Sequence, residues 1–120
     1  MRDEQTTVAD LKKLAVRFRD ERDWAKFHSP RNLAVSVVLE AAELLEHFQW
    51  RTEEEITEYL SGEGRDAVSE EIVDVLMYLL TMAHDLGIDV SSSAKAKIEK
   101  NARKYPVDKA KGNAAKYRDL

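Results

Sequence analysis

Two stretches of this chain are apolar enough to require burial on most sides, yet each carries a pair of carboxylates three residues apart. Leu33 to Phe48 reads LAVSVVLEAAELLEHF, and Ala67 to Asp85 reads AVSEEIVDVLMYLLTMAHD. At about 100° per residue, Ser36, Glu40, Glu43 and His47 fall on one narrow stripe of the first helix. Glu71, Asp74, Tyr78, Thr81 and Asp85 recur at steps of three and four and mark the same kind of stripe on the second. The chain is therefore expected to pack two helices whose polar faces meet in a largely apolar interior.

A carboxylate taken out of water without a partner costs several kcal/mol, so paired acids on apolar helices call for positive charge between them. Neither stretch contains Lys or Arg, which leaves a cation from solution as the expected partner. Side chains three apart on a helix lie roughly 5–6 Å apart at Cβ, within reach of one ion. Four carboxylates, Glu40, Glu43, Glu71 and Asp74, with no thiol among them suit a hard ion, Mg²⁺ or Mn²⁺, rather than Zn²⁺. Mg²⁺ commonly completes its shell with water and substrate phosphates, which makes a phosphate ester the natural ligand. A helical carboxylate di-iron site is excluded, because it needs Glu-x-x-His on two helices, whereas Glu43 and His47 are four apart and Glu71 has no such partner. A solvated acidic face would explain one such pair more readily than two within 35 residues. Glu46 and Glu70 fall off the stripe and read as surface or interface acids rather than ligands. His47 and His84, with no second histidine at ligand spacing, read as structural.

The rest of the composition narrows the class. The 120 residues suffice for one domain, and 43% hydrophobic with 35% charged residues is ordinary for a soluble protein. There is no cysteine, hence no disulfide framework, thiolate site or cysteine nucleophile. The opening residues MRDEQTTVADL lack the basic and apolar run of a signal peptide, and no apolar segment approaches a membrane span, so a cytoplasmic location is expected. A net charge of −4 argues against duplex nucleic acid as the main partner, although the C-terminal third is basic.

Only four Gly and two Pro occur, placed where helices should stop, which predicts an all-α bundle of four to five helices. Thr7 with Asp10 opens a first helix to about Asp23, with Val8, Leu11, Leu14, Ala15 and Phe18 as its apolar face. Ser29 before Pro30 caps the second helix, and Thr52 with Glu55 forms a capping box for a short third ending near Leu60. Gly62 and Gly64 read as a loop before a fourth helix from about Asp66 to Asp85, stopped by Gly87. Asp89 caps a fifth that ends near Tyr105, ahead of Pro106. The domain is accordingly placed at 1–106, with 107–120 as a polar tail. Helices two and four are apolar over more of their surface than a small domain covers, so a homo-oligomer is expected, with Leu39, Leu45, Met77, Leu80 and Met82 as contributors to shared core.

Between the first two helices, Arg22 to Leu33 gathers Trp24, Phe27, His28, Arg31 and Asn32 around a helix start. Helix N-termini favour anions and flat rings favour a base, though Trp and Phe are more often core residues. Tyr78, one turn after Asp74, points toward the same cavity as the acids or into the core.

These segments together resemble the MazG-like, all-α nucleoside triphosphate pyrophosphohydrolase superfamily, and within it the dCTP pyrophosphatase branch. The resemblance rests on ERDWAKFHSPRNL at Glu21 to Leu33, EAAELLEHFQW at Glu40 to Trp50, EEIVDVLMYL at Glu70 to Leu79 and KIEKNARKYP at Lys97 to Pro106, in that order. It implies a homodimer or homotetramer, Mg²⁺ dependence, and cleavage of a nucleoside triphosphate to its monophosphate and pyrophosphate. It further implies that Glu40, Glu43, Glu71 and Asp74 hold the metal, that Trp24, His28, Trp50 and Tyr78 lie around base and sugar, and that Lys97, Asn101 and Lys104 reach the triphosphate. Glu40 or Glu43 would serve as the general base. The chain departs from vertebrate-like members at Ala42, which replaces Gly, at Lys104, which often replaces Arg, and at Ala15, which replaces His. The last two loosen the expected phosphate grip and base preference. The same fold acting on dUTP, another non-standard triphosphate or phosphoribosyl-ATP, and a non-catalytic helical interaction module, are the alternatives.

Overall fold

The computed structural model describes residues 1–120 and contains helices only. Six α-helices follow one another: α1 (Val8–Glu21), α2 (Pro30–Glu46), α3 (Glu53–Ser61), α4 (Gly64–Asp85), α5 (Val90–Lys104) and the single-turn α6 (Val107–Ala110). Each expected cap is in place. The Thr7 hydroxyl accepts from the Asp10 amide at 3.1 Å while the Asp10 carboxylate accepts from the Thr7 amide at 2.9 Å. Thr52 and Glu55 form the same reciprocal pair on α3. Ser29 accepts from the Asn32 amide at 3.2 Å, with Pro30 as first helical residue, and Asp89 accepts from the Ser92 amide at 3.0 Å. These contacts satisfy amides that a helix start leaves unpaired. Gly87, at φ +66°, ends α4 in a conformation that glycine adopts without steric cost.

The chain forms two compact units, Met1–Gly87 and Ile88–Leu120. In the first, α4 is the hub on which α2, α1 and α3 all pack. Its core is small: Val16, Leu33, Val68, Leu80 and Ala83, with Leu33 almost fully enclosed. By contrast Val35, Val38, Leu39 and Leu45 of α2, and Ile72, Val73, Leu76 and Leu79 of α4, stay exposed in the single chain. In the second unit the segment after Pro106 folds back, with the Tyr117 ring edge-on to Tyr105 at 6.2 Å and the Lys104 ammonium 4.7 Å from the Tyr117 ring centre. No helix is long and apolar enough to cross a membrane.

Two expectations need correction. The first helix does not bury Leu14 and Phe18: it buries Val16 and Arg19, and leaves Leu14 and Phe18 exposed. The reason is electrostatic, since Arg19 turns inward to meet Asp85 of α4 at 2.7 Å and Asp20 at 3.1 Å. Gly64 is not a loop residue but the buried first residue of α4. The Tyr59 ring lies so close that a Cβ at Gly64 would sit 2.2 Å from Tyr59 Cε2. The glycine is there for close approach, not for flexibility.

Candidate metal centre and adjoining cavity

The paired stripes of α2 and α4 do face each other. Glu40, Glu43 and Glu71 each present a ligand atom, and the three atoms lie within 4.8 Å of one another. The 3.6-residue turn stacks Glu40 beneath Glu43 on α2, and the packing of α2 on α4 brings Glu71 across to them. Glu40 and Glu71 are partly enclosed while Glu43 is open to solvent. Glu40 Oε2 and Glu71 Oε2 are buried without any hydrogen-bond partner.

The electrostatics match that geometry. Burial, followed by the hydrogen bond and charge of Glu43 and the charges of Asp74 and Glu71, holds the Glu40 carboxyl above the ordinary glutamate range. Glu71 is raised as well, by desolvation first and then by Glu43 and Asp74, with His47 opposing. Glu40 and Glu71, both disfavoured as anions by burial and by neighbouring carboxylates and both with an orphaned oxygen, form with Glu43 a donor set deficient in positive charge. A divalent cation supplies that charge, and an all-oxygen set suits a hard ion. The residues therefore fit a metal.

Asp74, the fourth acid of the sequence pattern, falls outside the group of converging oxygens. It lines the neighbouring cavity while its charge acts on Glu40 and Glu71, so it adjoins both. That cavity, of about 350 Å³, lies between α1, α4 and the loop after α1, and is walled by Leu14, Phe18, Trp24, His28, Met77 and Tyr78.

Local structure explains how the loop delivers its rings. Asp23 takes a left-handed turn at φ +55°, after which Trp24 stands edge-on to Phe18 at 5.8 Å. Arg22 covers Phe18 at 3.7 Å, and the Asn32 side-chain amide donates to the Phe27 carbonyl at 3.0 Å. His28 sits edge-on to Tyr78 at 6.3 Å. Its pKa is depressed, chiefly by burial and then by the Arg19 charge, so the ring is neutral near pH 7. Its Nδ1 is buried without a partner, among the cavity's apolar rings and beside Asp74 and Thr81 in the same lining.

Trp24, His28 and Tyr78 thus come together beside Asp74. Trp50 does not join them: it lies in the turn after α2 and is 86% exposed. Lys97, Asn101 and Lys104 share one stripe of α5 in the second unit. Two residues gain roles that the sequence reading did not give them. Arg19 neutralises Asp85 at the far end of the α4 stripe; its place at four-residue spacing after Leu11 and Ala15 marked it as inward-facing. His47, read as structural, accepts or donates at Nδ1 to the Tyr59 hydroxyl at 2.7 Å and brings Nε2 to 3.8 Å from Glu71 Oε1. Its position on the Glu40–Glu43 stripe was the available signal.

The chain resembles known proteins over most of its length. A sequence model of the MazG-like family matches residues 35–120. Among curated relatives, dCTP pyrophosphatase 1 of Bos taurus is 40% identical over 117 residues, covering 97% of this chain and 69% of the relative. The Homo sapiens protein of the same name is 38% identical over the same span. Among solved structures, a pyrophosphatase from Archaeoglobus fulgidus DSM 4304 superposes with a TM-score of 0.75 at 47% identity, covering 82% of this chain and 91% of the other.

Proposed function

The chain belongs to the MazG-like family, and on that premise we propose that it is a Mg²⁺-dependent nucleoside triphosphate pyrophosphatase that converts dCTP, or a 5-modified dCTP, to the monophosphate and pyrophosphate. The observation that carries the proposal is the convergence of Glu40, Glu43 and Glu71 next to an aromatic-walled cavity, with Asp74 adjoining both. A volume of about 350 Å³ is at the small end of ligand pockets and suits one base and its sugar. The relatives' names supply the choice of cytosine.

In this reading Glu40, Glu43, Glu71 and Asp74 hold the metal. The ion, when bound, neutralises charge on the phosphates and makes an attacking water more acidic. Glu40 or Glu43 takes the proton from the water that attacks the α-phosphorus. Trp24 and Tyr78 flank the base and sugar, and the neutral His28 offers its free Nδ1 to a polar edge of the nucleoside. Lys97, Asn101 and Lys104 grip the triphosphate as cations and amide donor.

The exposed apolar rows of α2 and α4 support assembly of two or four copies, and the exposed Trp50 is then available to a cavity of another copy. A comparison of kcat/KM for dCTP, 5-methyl-dCTP, dUTP and the other common dNTPs tests the substrate assignment. Cytosine nucleotides should lead by at least tenfold; a lead for dUTP or a purine triphosphate would move the assignment to that base.

A further inference from the structure

His47 stands between the acidic triad and α3, and its surroundings are built to fix it. Its ring is stacked on Tyr59, centroids 5.9 Å apart at 26°, and its Nδ1 shares a 2.7 Å hydrogen bond with the Tyr59 hydroxyl. Tyr59 is itself clamped. The Arg51 guanidinium covers its ring at 3.7 Å and donates to the His47 carbonyl, while the buried Gly64 leaves room for the ring only because it lacks a Cβ. The far nitrogen, Nε2, lies 3.8 Å from Glu71 Oε1, and the other oxygen of Glu71 is the buried, unpartnered one. One oxygen of Glu71 is thus approached from the α3 side and the other is left for the triad.

We propose that His47 is a positioning residue for Glu71, held by Tyr59 so that its Nε2–H orients the carboxylate toward Glu40 and Glu43. With the Tyr59 hydroxyl donating to Nδ1, the ring N–H lies on Nε2, facing Glu71. At 3.8 Å the contact is an electrostatic one in the metal-free chain, longer than a hydrogen bond; losing an outer partner of a metal-binding side chain costs about 10- to 100-fold in metal affinity or activity. The sequence Arg51 and Gly64, Tyr59, His47, Glu71 runs from α3 and the start of α4 to the acid, which gives the short α3 a purpose beyond covering α4. The inference rests on the metal reading of the triad.

Direct titration of Mn²⁺ into the nucleotide-free protein, followed by the paramagnetic signal of free Mn²⁺, separates the two. Tyr59→Phe keeps the ring against Gly64 and removes only the hydroxyl; it should weaken Mn²⁺ binding several-fold. His47→Leu should weaken it about 10- to 100-fold, and His47→Gln, which restores an amide donor, should recover part of that loss. In turnover assays the Mg²⁺ concentration for half-maximal rate should rise in the same order while kcat at saturating Mg²⁺ is largely kept. Wild-type Mn²⁺ affinity in both Tyr59→Phe and His47→Leu would overturn the positioning role and leave the metal centre standing. Absence of Mn²⁺ binding by the wild-type protein would overturn both.

Discussion

Arg19 Nη1 lies 2.7 Å from Asp85 Oδ2, and this ion pair divides the α4 stripe into an end that the chain neutralises itself and an end that it does not. Asp85 has its cation, and Arg19 is held more strongly protonated by that bond despite burial. Glu71, fourteen residues earlier on the same helix, meets only acids and the edge of a histidine. Replacing Asp85 by Asn leaves Arg19, 7% exposed, without its closest counter-charge. The cost should be about 2 kcal/mol, below the usual 3–5 for a broken buried pair because Asp85 is partly open and Asp20 remains. Urea unfolding of the metal-free protein measures it, and an unchanged midpoint would show the pair to be energetically idle.

The triad should behave oppositely. Glu40→Gln keeps the shape and removes one of three mutually repelling charges, so the metal-free variant should melt a few degrees higher than wild type. Its stabilisation by Mn²⁺ should largely disappear. Thermal unfolding with and without 1 to 10 mM metal, read by circular dichroism, gives both numbers; a lower melting temperature in the metal-free variant would contradict the repulsion.

The pH dependence has a definite sign. Glu40 and Glu71 keep their protons above the ordinary value of 4.5, mainly through burial and then through Glu43 and Asp74. The unfolded chain releases these protons near 4.5 and the folded chain at higher pH, so within that window the folded state binds more protons and loses stability as pH rises. Wild type minus Glu40→Gln isolates the effect from other titrations. The difference in stability should grow against wild type on going up from pH 4.5, and metal addition should reverse the trend because binding requires the deprotonated acids.

Gly64→Ala drives a methyl into the Tyr59 ring, and that ring cannot swing away without leaving Arg51 and His47. Overpacking of this kind typically costs about 1–3 kcal/mol. Chemical denaturation should show a loss in that range, and a neutral result would mean that the ring relocates freely.

Much of this architecture was legible in the sequence. Caps are local chemistry, so Thr7, Ser29, Thr52 and Asp89 marked helix starts that the fold reproduces. Helical periodicity set Glu40 with Glu43 on one face and Glu71 with Asp74 on another, and the lack of any Lys or Arg in both apolar stretches pointed to their meeting; Glu40, Glu43 and Glu71 do converge. What stayed hidden depends on contacts between distant elements. The roll of α1 is decided by Arg19 finding Asp85, not by the hydrophobic spacing of Leu14 and Phe18. The helical start at Gly64 is decided by a ring from α3. His47 has no partner within ligand spacing on its own helix, and its neighbours Tyr59 and Glu71 come from two others.

The exposed rows on α2 and α4 carry their own expectation. Val38 and Leu45 are 67% and 61% exposed in the single chain, and a charge at either should weaken assembly rather than folding. Val38→Asp or Leu45→Asp should lower the mass seen by light scattering while leaving helix content intact; an unchanged mass would place the contact elsewhere.

The most direct measurement is pyrophosphate release from dCTP, with and without Mg²⁺, by the wild-type protein and Glu43→Ala. Strong release that needs Mg²⁺ and falls at least 100-fold in Glu43→Ala, on the order expected for loss of a group that stabilises the transition state, is the predicted result. Release that persists without divalent metal, or a Glu43→Ala variant that keeps most of the wild-type rate, would contradict the assignment of this acidic cluster as the catalytic metal centre.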